Sequence, residues 1–104
     1  NEYNLLYKGE NYLESARSNY IESNHIFDML SPIMKELNLK TILEFGCGGG
    51  WNLLPFYKNG YEVTGYDYSS DLVKLGISYG LNLREGSIAE LNSTNDKYDV
   101  IICY

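Results

Sequence analysis

The spacing of apolar residues changes near residue 40, from a helical period to one typical of short strands. Before that point, apolar residues recur three and four positions apart and predict one face of a helix: Ile26, Met29, Leu30, Ile33, Met34 and Leu37. Pro32 interrupts this stripe, and because proline favours the first turn of a helix, we expect a kink or a junction of two helices there. Residues 1–20 are polar and rich in tyrosine and asparagine, which indicates a loose arm leading into the helix.

Short apolar segments alternate with helical ones after residue 40. Four of these segments predict strands: 41–45, 61–66, 81–84 and 98–103. The intervening patterns predict helices at 51–58 and from the Ser69-Ser70 cap to Gly80, and a single helical turn at 88–91. Strands that alternate with helices indicate right-handed crossovers and a parallel sheet. The pattern therefore predicts an α/β fold with an N-terminal helical arm.

Length and charge limit the classes of function. The 104 residues suit a single domain, 1–104, in which 1–37 is a helical N-terminal extension. The net charge of −6 and the lack of a Lys/Arg cluster disfavour nucleic acid as a partner. No apolar stretch of the sequence approaches the roughly 20 residues of a membrane span, and the first residues lack the basic start and apolar core of a secretion signal. We therefore expect neither a membrane nor a nucleic acid as partner.

Cysteine and histidine are too scattered for a metal site. Cys47 and Cys103 lie far apart and outside metal or redox spacings, and the single histidine, His25, has no cluster around it. We expect no metal, two free thiols and a cytoplasmic location.

The richest chemistry lies in the stretch EFGCGGG, residues 44–50, which follows the first predicted strand. A phosphate-binding loop would need a lysine directly after the glycines, and none occurs before Lys58. A dinucleotide fingerprint would need a third glycine where Trp51 stands. The pattern acid-x-G-x-G-x-G, by contrast, matches at every fixed position from Glu44 to Gly50. Glycines in this density indicate that a ligand approaches the main chain closely.

With this motif, the chain resembles the class I S-adenosylmethionine-dependent methyltransferases over residues 38–104. Asp67 follows the second predicted strand, 21 positions after Gly46, near the spacing of about 20 residues typical of a ribose-binding acid. The resemblance implies a Rossmann-like parallel sheet of strand order 3-2-1-4 with helices on both faces, and S-adenosyl-L-methionine as cofactor, leaving S-adenosyl-L-homocysteine as product. It also implies that Asp67 binds both ribose hydroxyls.

The remaining cofactor contacts also follow from the resemblance. Glu44 is expected to orient the loop and the methionine end of the cofactor, which the main chain touches at Gly46, Cys47 and Gly48. Around the adenine, the resemblance places Tyr68, Ser87 and Ile88, with Ser87 standing where the family often has aspartate. Arg17 together with Tyr20-Ile21 could reach the cofactor carboxylate from the N-terminal helix.

The expected activity is methyl transfer to a small-molecule acceptor. No catalytic residue can be assigned, because the resemblance ends before the part of the family that receives the acceptor. Two alternatives remain open: a non-catalytic cofactor-binding fragment or subunit, and an NAD-dependent oxidoreductase, which Trp51 disfavours. The last predicted strand is apolar on both faces, so we expect a C-terminal half or a second copy of the chain to cover it.

Overall fold

The computed structural model describes residues 10–22, 24–87, 89 and 97–103. Four helices and four strands lie in this part of the chain: α1 (Glu10–Glu22), α2 (His25–Glu36), β1 (Thr41–Phe45), α3 (Leu54–Lys58), β2 (Glu62–Asp67), α4 (Ser70–Ser78), β3 (Leu83–Glu85) and β4 (Val100–Cys103). Among the described residues, no helix is both long and apolar enough to cross a membrane.

The four strands form one parallel sheet in the order β3-β2-β1-β4. This confirms the predicted Rossmann-like parallel sheet and its strand order. Helices were predicted on both faces, but the four helices of the described residues all pack on one face. The chain steps outward from β1 to β3 and then returns to the other side of β1, so the order reverses between β1 and β4. In open α/β sheets, ligands bind outside the carboxyl ends of the strands at such a reversal. The loop after Phe45 begins at this point.

Side chains from all four helices pack against one face of the sheet. They share a single core cluster with strand residues Ile42, Val63 and Leu83. The opposite face carries a smaller cluster of Leu43, Phe45 and Tyr66, against which Tyr98 packs. The two clusters separate because successive side chains of a strand point to opposite faces.

The direction of the crossovers explains why α3 and α4 share a face. Both connections run in the same direction across the sheet, and right-handed crossovers then put their helices on the same side. The connection from β3 to β4 runs in the opposite direction, and residues 88 and 90–96 of it lie outside the described residues. The helical turn predicted at 88–91 is therefore largely outside them as well.

Several predicted boundaries differ from those observed. Residues 10–20, predicted as a loose arm, lie in α1, and α2 runs through Pro32 as one helix. Pro32 is exposed on α2, so the backbone carbonyl that loses its donor can face water. β3 covers 83–85 rather than 81–84.

The predicted helix at 51–58 begins only at Leu54. Residues 48–53 instead form consecutive turns, in which Gly50 N–H donates to the Cys47 carbonyl at 2.9 Å and Leu53 N–H to the Gly50 carbonyl at 2.9 Å. Gly48 and Gly50 have φ values of 60° and 77°, which a right-handed helix does not contain. The glycine loop, residues 46–50, therefore delays the helix.

Asp99 joins the amino ends of β1 and β4. Its carboxylate accepts hydrogen bonds from the Lys40 N–H at 2.7 Å and the Thr41 N–H at 3.2 Å, and its own N–H donates to the Thr41 hydroxyl at 2.8 Å. The two backbone donors hold the pKa of Asp99 below its ordinary value. These bonds fix the register of β4 on β1 from their first residues.

Candidate ligand site at the carboxyl end of the sheet

The glycine loop presents bare main chain at one position and packs tightly at another. Gly46 is exposed with φ 67°, and a Cβ there would meet no atom of the described residues within 4 Å. At Gly48, a Cβ would collide with the ring of Trp51. Gly48 is therefore required by packing, whereas Gly46 leaves open space beside the backbone that a ligand can enter.

Asp67 links the glycine loop to the loop that follows β2. Its Oδ1 accepts a hydrogen bond from the Gly48 N–H at 3.0 Å, and its Oδ2 accepts one from the Ser69 N–H at 3.0 Å. An ionised carboxylate has about four acceptor positions, so each oxygen can still accept a further donor. The two amides fix the orientation of the carboxylate beside the exposed main chain.

Glu44 is a buried acid with an unused oxygen. The residue is 1% exposed; Asn52 Nδ2 donates to its Oε2 at 3.2 Å, whereas Oε1 has no hydrogen-bond partner among the described residues. Burial raises the pKa of Glu44 to about 7; the Asn52 hydrogen bond opposes this rise, and the nearby Asp67 charge adds to it. A buried acceptor of this kind favours a cationic donor, which would supply the missing hydrogen bond and offset the buried charge.

The Cys47 side chain points away from the loop surface and into the core. Its sulfur lies against Gly65, where a Cβ would be only 2.7 Å from it, and the residue is 2% exposed. Burial raises the pKa of this thiol to about 12, and the Glu44 and Asp67 charges add to the rise. Only the main chain of Cys47 is thus placed to face a ligand, and both cysteines are free.

The structure places the three residues predicted to surround the adenine in different ways. Tyr68 directly follows β2 and is 79% exposed. Ser87 is half-buried, and its hydroxyl accepts from the Ala89 N–H at 3.3 Å. Gly86 N–H donates to the Asp67 carbonyl at 3.1 Å, which brings the segment before Ser87 to the end of β2. Ile88 lies outside the described residues.

Three residues of this region were missed or interpreted differently from sequence. Asn52 holds Glu44, and Trp51, considered only as an obstacle to a dinucleotide, covers Gly48. Tyr20, which was expected to approach the cofactor carboxylate with Arg17 and Ile21, donates its hydroxyl to the Gly49 carbonyl at 2.5 Å, while Arg17 and Ile21 are exposed. Asn52 and Trp51 follow the motif by a few positions, and that proximity was the signal available for them.

A cavity also lies at the other end of the sheet. It measures about 490 Å³ and is bordered by Thr41 and Glu62, which begin β1 and β2, and by Lys97. Because ligands of open α/β sheets bind at the carboxyl ends of the strands, the glycine loop, Glu44 and Asp67 define the candidate site.

Comparison with known families agrees with this fold and loop. A family model described as a methyltransferase domain matches residues 15–104. The chain belongs to this family, and the resemblance to class I S-adenosylmethionine-dependent methyltransferases is confirmed.

Individual relatives and structures point the same way. The ubiquinone biosynthesis O-methyltransferase of Rickettsia prowazekii is 32% identical over 94 residues, covering 84% of this chain and 36% of that protein. The structure of PKMT2 from Rickettsia typhi in complex with AdoHcy is 30% identical with a TM-score of 0.56, covering 64% of this chain and 15% of that one. Magnesium protoporphyrin IX methyltransferase from Synechocystis PCC 6803, at 20% identity, shares the fold with a TM-score of 0.61, covering 79% of this chain and 41% of that one. The chain thus spans little more than a third of the curated relative.

Proposed function

We propose that this chain binds S-adenosylmethionine at the carboxyl ends of β1 and β2 and forms the cofactor-binding part of a methyltransferase that acts on a small molecule. One observation carries the proposal: the buried, half-partnered carboxylate of Glu44 and the oriented carboxylate of Asp67 occur together at the carboxyl ends of β1 and β2, where the main chain of Gly46 is exposed. The cofactor has an ammonium group at one end and a ribose with two hydroxyls towards the other. These donors match the two carboxylates.

The residue roles in this proposal follow from what each group can accept. Glu44 Oε1 would accept the cofactor's amino group, which is the cationic donor that a buried carboxylate lacks. The Gly46–Gly48 main chain, including Cys47 by its backbone alone, would lie against the methionine part. Asp67 would accept the ribose hydroxyls while keeping its amide bonds to Gly48 and Ser69. Charge-assisted hydrogen bonds of this kind contribute about 1.5–3 kcal/mol each.

The proposed adenine contacts rest on the positions of Tyr68 and Ser87 near the end of β2. Tyr68 is exposed directly after Asp67, so its ring is free to lie against the base. Ser87 is held near the end of β2 by the neighbouring Gly86 bond to the Asp67 carbonyl. Ile88, which follows Ser87 outside the described residues, stays a prediction.

The proposed contribution of this chain to the reaction is binding and alignment. When bound, S-adenosylmethionine supplies a methyl group on a sulfonium, which is already a good leaving group. Methyl transfer is an in-line displacement, so alignment of acceptor and methyl carbon does most of the catalytic work. Glu44 and Asp67, on neighbouring strands β1 and β2, would fix the cofactor at two separate points. No described residue is assigned as a general base.

We also propose that residues 1–104 form one domain, with 1–37 as its helical N-terminal extension. The acceptor is a small molecule, which accords with the similarity to a ubiquinone biosynthesis O-methyltransferase and with the net charge of −6, which disfavours nucleic acid. β4 is an edge strand with Ile101 half-exposed, and a C-terminal half or a second copy would cover it. The two free cysteines accord with a cytoplasmic location.

Calorimetric titration of the full-length protein with S-adenosylhomocysteine and, separately, NAD tests the proposal. We expect S-adenosylhomocysteine to bind and NAD not to bind. Asp67→Ala should weaken S-adenosylhomocysteine binding at least about tenfold, since each 1.4 kcal/mol corresponds to a factor of ten. Asp71→Ala, which removes an exposed carboxylate from the first turn of α4, is the matched control and should bind like the wild type. Binding of NAD alone, or equal affinities for both variants, would overturn the assignment.

A further inference from the structure

Helix α1 reaches the glycine loop through one buried side chain, Tyr20. The residue is 7% exposed, and its hydroxyl donates to the carbonyl of Gly49, which lies 29 positions further along the chain. Burial raises the pKa of Tyr20, with the neighbouring Tyr79 adding to the rise, so the hydroxyl keeps its proton and remains a donor. Of the α1 side chains described from residue 14 onward, Ala16 and Tyr20 are the buried ones. Tyr20 is therefore a main point at which α1 is fixed to the sheet.

The peptide unit between Gly49 and Gly50 is held from both sides. Its carbonyl accepts from Tyr20, and its N–H donates to the Cys47 carbonyl at 2.9 Å. On the side of α4, a Cβ at Gly76 would collide with the Gly49 carbonyl. The Gly49 carbonyl thus lies between α1 and α4, and it touches helix α4 because Gly76 has no side chain.

The ring of Tyr20 also supports the other half of the loop. It stacks on Tyr79, with ring centroids 4.0 Å apart, and meets Trp51 edge-on at 6.0 Å. Trp51 in turn covers Gly48, whose N–H donates to Asp67. A displacement of Tyr20 would therefore disturb the loop at Gly49 directly and at Gly48 through Trp51.

We propose that Tyr20 is a positioning residue that couples the docking of α1 to the ligand-binding conformation of the glycine loop. Its hydroxyl fixes the loop rather than touching the cofactor. Cofactor affinity then depends on that hydroxyl, and cofactor binding in turn stabilises the docked position of α1, because coupling between two equilibria is reciprocal. This inference rests on the proposed function, since it takes the glycine loop as part of the cofactor site.

Tyr20→Phe tests the coupling because it deletes the hydroxyl and keeps the stacked ring. Tyr79→Phe is the matched control, since it deletes a hydroxyl from the other ring of the same stack. We expect Tyr20→Phe to raise the dissociation constant of S-adenosylhomocysteine about tenfold and Tyr79→Phe to change it less than about twofold. Both are measured by calorimetry on the full-length protein, below the onset of thermal unfolding. A merely structural role would lower the melting temperature of Tyr20→Phe and leave its affinity unchanged, and that result would overturn the inference.

Hydrogen exchange on the wild type provides a second test that does not depend on a variant folding. S-adenosylhomocysteine should slow exchange of the α1 amides in residues 14–21. If Tyr20→Phe does not fold, unchanged exchange in α1 decides against the coupling. If the wild type binds no S-adenosylhomocysteine, the proposed function fails and the inference with it. If the wild type binds and Tyr20→Phe binds equally well, only the inference fails.

Discussion

The two ends of β1 are bordered by carboxylates that are held in opposite ways. At the amino end, Asp99 is exposed and accepts from two strand amides, which lower its pKa. At the carboxyl end, Glu44 is buried, one of its oxygens has no partner among the described residues, and its pKa is raised to about 7. The fold supplies the Asp99 carboxylate with hydrogen bonds that stabilise its charge. Glu44 is placed where the fold alone does not satisfy its charge, which is typical of a position retained for a ligand.

The largest expected effect concerns the cost of burying Glu44. An unfolded glutamate has a pKa of 4.5, and that of folded Glu44 is about 7. Between these values the folded state binds the extra proton, so the contribution of Glu44 to the free energy of unfolding falls as pH rises from 4.5 to 7 and then levels off. A difference of this size corresponds to about 3 kcal/mol. Glu44→Gln should remove the dependence, making the variant about 3 kcal/mol more stable than the wild type at pH 8 and equal to it near pH 4.5.

Urea unfolding at a series of pH values measures this difference. Glu62→Gln, at the exposed start of β2, is the control for the change in net charge and should be no more stable than the wild type at pH 8. Glu44→Gln should also weaken S-adenosylhomocysteine binding about tenfold, so that one substitution stabilises the protein and impairs the site. If Glu44→Gln is no more stable than the wild type at pH 8, burial does not destabilise the Glu44 charge, and the contrast with Asp99 is wrong.

A smaller effect is expected at the exposed main chain. Gly46 and Gly60 both have positive φ, of 67° and 89°, and at neither would a Cβ meet a described atom within 4 Å. Alanine at either position should therefore be strained, and should lower the free energy of unfolding by a similar amount of about 1–2 kcal/mol. Gly46→Ala should in addition weaken S-adenosylhomocysteine binding by about tenfold or more, because the methyl group fills space that the ligand needs. Equal affinities of the two variants, measured by calorimetry, would place the ligand elsewhere.

The smallest effect is expected at the amino end. Asp99→Asn removes the charge that the Lys40 and Thr41 amides stabilise, and should lower the melting temperature by a few degrees at neutral pH. Because the folded pKa of Asp99 is lowered from 3.8, its contribution is present above that value and is lost as pH falls through the folded pKa. The variant and the wild type should therefore converge in acid. The affinity for S-adenosylhomocysteine should not change, and a loss of affinity would show that the two ends are not independent.

Local patterns in the sequence were enough to predict the centre of this fold. β1 and the glycine loop are adjacent in the chain, and Asp67 ends the next strand, so their chemistry could be inferred from short stretches. The delayed start of α3 could not be inferred in this way, because it depends on positive φ values in the loop. The inward direction of the Cys47 side chain and the bond from Tyr20 to Gly49 depend on packing between distant segments. Tertiary contacts of this kind leave no periodic signal.

A crystal structure of the full-length protein with S-adenosylhomocysteine tests the central claim most directly. We predict that the ribose hydroxyls bond to Asp67, that the amino group bonds to Glu44 Oε1, and that the amino-acid part lies over Gly46. A nucleoside bound at another position, with Glu44 Oε1 still unpartnered and Asp67 bonded only to the Gly48 and Ser69 amides, would contradict it.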